Sequence, residues 1–172
     1  LSSCASRQLE EVTFRRTVIP VQELLDAAGK YFKKLMKNRP ERIELEIESM
    51  EAKVIGDVNQ LRFLLENLID EALTVREDGV IRLQARKDNE YIRFLFTDTR
   101  REKSVEELNQ LFYPNLARMT SGEKGELRGT EYLVCKQIIR DHDEFAGRRG
   151  CRINAEPAEG GGFTVYFTIP RR

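Results

Sequence analysis

The stretch from residue 57 to residue 75 constrains the fold more than any other part of the chain. Leu61, Leu64, Leu65, Leu68, Ile69, Ala72 and Leu73 recur at intervals of three and four, the period of a helix with one buried face. Asp57 stands just before them, and its carboxylate can accept hydrogen bonds from the first-turn amides that a helix leaves unpaired. The spacing predicts a helix over Val58–Val75. An amphipathic helix of this length gains its stability by packing its apolar stripe on something else, so the rest of the chain must supply a second layer.

Most of that supply reads as strand. Ile43, Leu45 and Ile47 alternate with Glu44, Glu46 and Glu48, which predicts a half-buried strand over residues 42–48. Short β-branched or aromatic runs predict strands at Thr13–Ile19, Ala52–Ile55, Val80–Ala85, Tyr91–Thr97, Cys151–Ala155 and Phe163–Ile169. Lys87–Glu90 reads as a polar hairpin loop, and Gly160, Gly161 and Gly162 as the last turn. Two further helices are expected. One starts near Pro20 and carries Val21, Leu24, Leu25, Ala28, Phe32, Leu35 and Met36 on one face; the other runs from Thr130 to Glu144. Residues 99–128 form a long, charged connection, with one short helix expected at Ser104–Phe112. The order predicts an α+β fold: a two-layer α/β sandwich, a mixed sheet with helices on one face.

Composition narrows the function. The 172 residues suit one domain, and 29 basic against 29 acidic residues leave no charge excess to attract nucleic acid or an anionic membrane surface. No apolar run approaches the roughly 20 residues of a spanning helix. Cys4, Cys135 and Cys151 are odd in number and lack metal-ligand spacing, so a reduced, cytoplasmic setting is expected. His142 is the only histidine, which excludes any mechanism that needs two within the chain.

Four segments carry a family resemblance. Asp57-Val-Asn-Gln60-Leu61-Arg-Phe-Leu64-Leu65-Glu-Asn67-Leu68-Ile-Asp-Glu71-Ala72-Leu73 resembles an asparagine box. Leu111-Phe112-Tyr-Pro114 resembles an aromatic box within a lid, and Leu133-Val-Cys135-Lys136-Gln-Ile138-Ile139-Arg-Asp-His142 the helix after it. Gly160-Gly-Gly-Phe163-Thr-Val-Tyr-Phe-Thr-Ile-Pro170 resembles a closing strand. In that order they are similar to the ATP-binding domain of sensor histidine kinases, within the fold shared with DNA gyrase, the HSP90 chaperone and MutL. The resemblance implies an ATP and magnesium pocket lined by Asn67, Glu71, Asp98 and Gly129, with Asn67 and Glu71 as the candidate metal ligands.

Several of these positions depart from the pattern. Glu71 stands where the family has its second asparagine. Its oxygens suit magnesium, but its charge opposes polyphosphate, since like charges about 4 Å apart repel by about 4 kcal/mol at an effective dielectric near 20. The plainer alternative is a solvated residue on the helix edge. Asp98 matches the aspartate that accepts from the adenine amino group; a strand-end turn aspartate is the alternative. Arg100 and Glu102 occupy two positions where the family has glycine, and they are expected to obstruct or fill the adenine pocket. In the second glycine box only Gly129 survives, and Glu131 is expected to occupy the helix-end amides in place of phosphate. The lid cations read either as phosphate ligands or as a solvated loop balanced by glutamates.

The resemblance implies a C-terminal domain of a two-component sensor kinase, with lost or weakened ATP binding and a role in signal relay. Two alternatives stay open: an active atypical kinase domain that binds ATP and magnesium, and a protein-binding module like an anti-sigma factor. Residues 1–12 are expected to be the end of an upstream linker or dimerisation helix, and residues 13–172 to form the domain. The implied partners are the upstream dimerisation and phosphoacceptor helices and a response regulator.

Overall fold

The computed structural model describes residues 13–114 and 130–172. Its core is a five-stranded sheet in the order β2-β4-β5-β7-β6, formed by β2 (Ile43–Ile47), β4 (Gly79–Asp88), β5 (Tyr91–Asp98), β6 (Ile153–Pro157) and β7 (Phe163–Pro170). Only the β2–β4 pair is parallel; the other pairs are antiparallel, so the sheet is mixed as expected.

Period-two alternation sorts its faces. Ile81, Leu83 and Ala85 of β4, Ile92, Phe94 and Phe96 of β5, and Val165, Phe167 and Ile169 of β7 are buried on one side. Against this side lie α1 (Val21–Met36), α2 (Val58–Ala72) and α4 (Glu131–Phe145), with α2 between the other two; the short α3 (Val105–Gln110) precedes α4 in the chain. The opposite face is charged, with Arg82 paired to Glu46, Arg86 to Glu48 and Arg93 to Asp88. Two layers with helices on a single face is the architecture that the sequence predicts.

Three details differ from the sequence reading. The first strand is only β1 (Thr17–Pro20), and it pairs with β3 (Lys53–Gly56) in a separate two-stranded sheet. Pro20 is its last residue and the N-cap of α1, with φ −61° and ψ 131°; it stands just outside the first turn. The hairpin after β4 is tighter than a four-residue loop. Asp88 already pairs with Tyr91, and Asn89 takes φ 54°, a left-handed value that asparagine tolerates.

Asp57 caps α2 as predicted. Its Oδ1 accepts from the amides of Asn59 (3.0 Å) and Gln60 (3.1 Å). Its Oδ2 accepts from the amide of Arg15 at 3.0 Å, which ties the lead-in to β1 onto the same helix end. Behind this cap lies His142 of α4, fully buried. Its Nε2 accepts from the Asp57 amide at 3.1 Å, so the ring is neutral with its proton on Nδ1, which donates to the Ile138 carbonyl at 2.8 Å. Burial pushes its pKa below the usual histidine value, against the opposing pull of the Ile138 carbonyl and of Asp57. His142 is therefore a satisfied core histidine near a helix end.

Candidate functional site

Asp98 ends β5, opposite Ile81 on one side and Phe163 on the other. Strand alternation puts its side chain on the face of Phe94 and Phe96, toward the helices, and it is buried. A carboxylate in such a place must be paired. The partner is Arg100, two residues on.

Arg100 binds Asp98 with fork geometry. Its Nε donates to Oδ1 at 2.9 Å and its Nη2 to Oδ2 at 2.9 Å, while its backbone amide donates to Oδ1 at 3.0 Å. The remaining guanidinium protons are used as well. Nη2 donates to the carbonyl of Ala72 (2.6 Å), and Nη1 to those of Val75 (2.9 Å) and Glu77 (3.0 Å). The two side chains are 1% and 5% exposed. Arg100 thus closes the C-terminus of α2, where carbonyls lack helical partners and the helix dipole favours a cation. Arg39 helps from another direction, donating to the Leu73 carbonyl at 2.7 Å.

Two glycines make room for this arrangement. A Cβ on Gly79 would stand 2.5 Å from Arg100 Cγ, so the arginine stem passes only because that position has no side chain. A Cβ on Gly162 would stand 2.1 Å from the Asp98 carbonyl oxygen, and its φ is +85°. Only glycine suits both demands, so Gly162 lets the turn before β7 press against the end of β5.

Beside Asp98 is a cavity of about 160 Å³. Its floor is apolar, from Leu68, Ala72, Phe96, Tyr132 and Val165; its rim carries Glu71, Arg101, Glu102, Lys103 and Glu107. The predicted site residues meet unevenly here. Asp98 and Glu71 both line the cavity, whereas Asn67, buried one turn back on α2, turns its amide onto its own helix, donating to the Phe63 carbonyl at 2.8 Å. Gly129 lies outside the described residues, as do Arg118, Lys124 and Arg128 of the lid. Glu102 enters the cavity lining as expected, but Arg100 obstructs differently: it engages Asp98 and the helix end rather than filling the space, and it is not a solvated lid cation.

At the other end of the site, Glu131 opens α4 as expected, and its Oε2 is buried with no hydrogen-bond partner among the described residues. Nearby, Cys135 is fully buried, and burial, helped by Glu131 and Glu71, raises its thiol well above the usual range. Cys151 is pushed up to about 12, also chiefly by burial. Both behave as core residues, as the sequence suggests. Within the aromatic box, Leu111 and Phe112 are buried, with Phe112 edge-on to Tyr132 at 5.7 Å; Tyr113 is exposed beneath the Lys136 ammonium at 4.3 Å. No group of acidic, histidine or cysteine side chains among the described residues is arranged to hold a metal ion.

Residues 56–172 match the family model described as histidine kinase-, DNA gyrase B- and HSP90-like ATPase. The chain belongs to that family. Solved structures share its fold along nearly the whole length. The nucleotide-free catalytic domain of histidine kinase ThkA superposes with a TM-score of 0.70 at 21% identity, covering 91% of this chain and 96% of that one. The mycobacterial sensor histidine kinase MprB gives 0.70 at 18% identity, covering 92% and 99%. ThkA in complex with response regulator protein TrrA gives 0.68 at 18%, covering 99% of this chain and 49% of that one. Curated protein sequences give no match. The fold is that of a histidine kinase catalytic domain, and no helix among the described residues is long and apolar enough to cross a membrane.

What the sequence missed is the role of Arg100 and of Gly79. Arg100 reads as a glycine replaced within a charged loop. The signal available was the Asp98-Thr-Arg100 spacing, which lets an arginine fold back onto the preceding carboxylate.

Proposed function

We propose that this domain is a signal-relay module of a two-component sensor kinase in which ATP binding is lost or strongly weakened. One observation carries the reading: the carboxylate at the adenine-reading position is already held by a buried arginine of the same chain. An adenine amino group would have to compete with that partner for the carboxylate. Breaking a buried, hydrogen-bonded ion pair costs about 3–5 kcal/mol, or about 100-fold to several thousand-fold in affinity.

Other observations support it. The adjoining cavity, about 160 Å³, is below the roughly 300 Å³ at which ligand pockets of ordinary size begin. Glu71, Glu102 and Glu107 on its rim outnumber Arg101 and Lys103 there, so the rim carries net negative charge toward a polyphosphate. Asn67 spends its amide on its own helix. The residues therefore do not fit a bound ATP–magnesium pair. The expected linker or dimerisation-helix end at residues 1–12 lies outside the described residues. In this reading the domain signals through its packing on upstream dimerisation helices toward a response regulator. The complex of ThkA with TrrA supports that class of partner.

Calorimetric titration with ATP and magnesium tests the proposal. The expected result is no saturable heat at millimolar nucleotide. Saturable binding in the micromolar range overturns it in favour of an active atypical kinase domain.

A further inference from the structure

Among the described residues, the outer edge of the sheet is open at β2. The main-chain bonds from Gly79 to Arg42 and from Glu48 to Leu83 fix which β2 residues face β4. By the two-residue period, Glu44 and Glu46 bond the same way, so the N–H and C=O groups of Ile43, Leu45 and Ile47 point outward. No other strand pairs with β2 among the described residues.

Along this edge runs a groove between β2 and α1, with a volume of about 770 Å³. It is lined by both faces of β2, with Leu45 and Ile47 on the helix side and Glu44 and Glu46 on the solvent side. Leu25 and Phe32 of α1 extend the apolar wall, while Asp26, Lys30 and Lys33 form its outer lip.

Charge shows what would sit there. The solvent face already alternates by strand, with an acidic row on β2 and a basic row on β4. Arg82 and Arg86 reach Glu46 and Glu48 from the inner side only, and those two carboxylates remain 54% and 52% exposed. Glu44 has no ion-pair partner among the described residues. A strand added outside β2 would place every second side chain beside Glu44 and Glu46, at the close spacing of cross-strand neighbours. The side chains between them would enter the groove against Leu45, Ile47 and Phe32.

We infer that the β2 edge is a docking site for an extended partner segment that alternates basic and apolar residues, bound by strand addition. Main-chain hydrogen bonds to Ile43, Leu45 and Ile47 hold it. Glu44 and Glu46 select its basic residues, and the groove its apolar ones. A second copy of β2 does not satisfy this edge, because its own glutamates would meet Glu44 and Glu46. The inference does not depend on whether nucleotide binds.

The test is a fluorescein-labelled seven-residue peptide of alternating lysine and valine, titrated against the whole chain by fluorescence anisotropy. Saturable binding is expected. The same peptide with glutamate for lysine should bind at least tenfold more weakly, and so should the lysine peptide to the Glu44→Lys, Glu46→Lys double variant. Those glutamates are solvent-exposed enough for the variant to keep its fold, which a thermal melt checks. Leu45→Pro, which deletes one outward N–H, should also weaken binding. No saturable binding at millimolar peptide, or binding that the double variant leaves unchanged, overturns the proposal. So does dimerisation of the chain that Glu44→Lys, Glu46→Lys alters, since the edge would then belong to a second copy.

Discussion

Replacing Arg100 by alanine tests the central contact directly. The substitution removes five side-chain hydrogen bonds, two to Asp98 and three to the carbonyls of Ala72, Val75 and Glu77. They are not equally replaceable. Glu77 is exposed and Val75 partly so, and water can reach their carbonyls once the guanidinium is gone. Asp98 is 4% exposed and keeps an unpaired charge in the interior. The loss is set by that carboxylate, at about 3–5 kcal/mol. For a chain of this size each kcal/mol lowers Tm by about 2–4 °C, so a fall of roughly 6–20 °C is expected.

The converse variant, Asp98→Ala, should cost less, about 1.5–3 kcal/mol. Arg100 would still rest on three carbonyls at the negative end of α2. The double variant should be more stable than the sum of the single losses predicts, by at least about 1 kcal/mol. Urea denaturation followed by circular dichroism measures all three. A loss under about 1 kcal/mol for Arg100→Ala, or additivity within about 0.5 kcal/mol, would refute a structural ion pair at this place.

Three other outcomes are expected. His142 has a folded pKa below its ordinary value of 6.5, so its contribution to stability is complete above pH 6.5 and is lost as pH falls toward the folded value. The carboxyls of Glu41, Glu48 and Glu107 are also shifted down, from 4.5, and act only below that pH. A decline in urea midpoint between pH 6.5 and 4.5 is expected, and a flat profile in His142→Gln assigns it to this ring. Gly162→Ala places a methyl group against the Asp98 carbonyl at a left-handed φ, and should cost at least about 1–3 kcal/mol in the same denaturation assay. Neither Cys135 nor Cys151 should react with a thiol reagent until the chain unfolds, and mass spectrometry of trapped adducts would show otherwise.

The fold was legible where it rests on period. The apolar stripe of α2, the alternation in β2 and the Asp57 cap are local patterns, and each formed as read. The separate β1–β3 pair was not legible, because which strands join is decided by long-range register. In the site, Asp98 and Glu71 were found through motif spacing, and both reach the cavity. The role of Arg100 was not readable, since three of its partners are main-chain carbonyls 23 to 28 positions away, which no side-chain pattern marks. The burial of His142 did leave a trace: it falls on the same helical face as Cys135, Ile138 and Ile139.

The attachment of α2 at its two extremities has a mechanical consequence. Arg15 and His142 grip its first turn through Asp57, and Arg100 and Arg39 grip its last. A rod clamped at both tips does not fray. Its terminal amides should exchange with deuterium about as slowly as its middle, and a push arriving along the lead-in segment would shift the whole strut, carrying the Asp98 end with it.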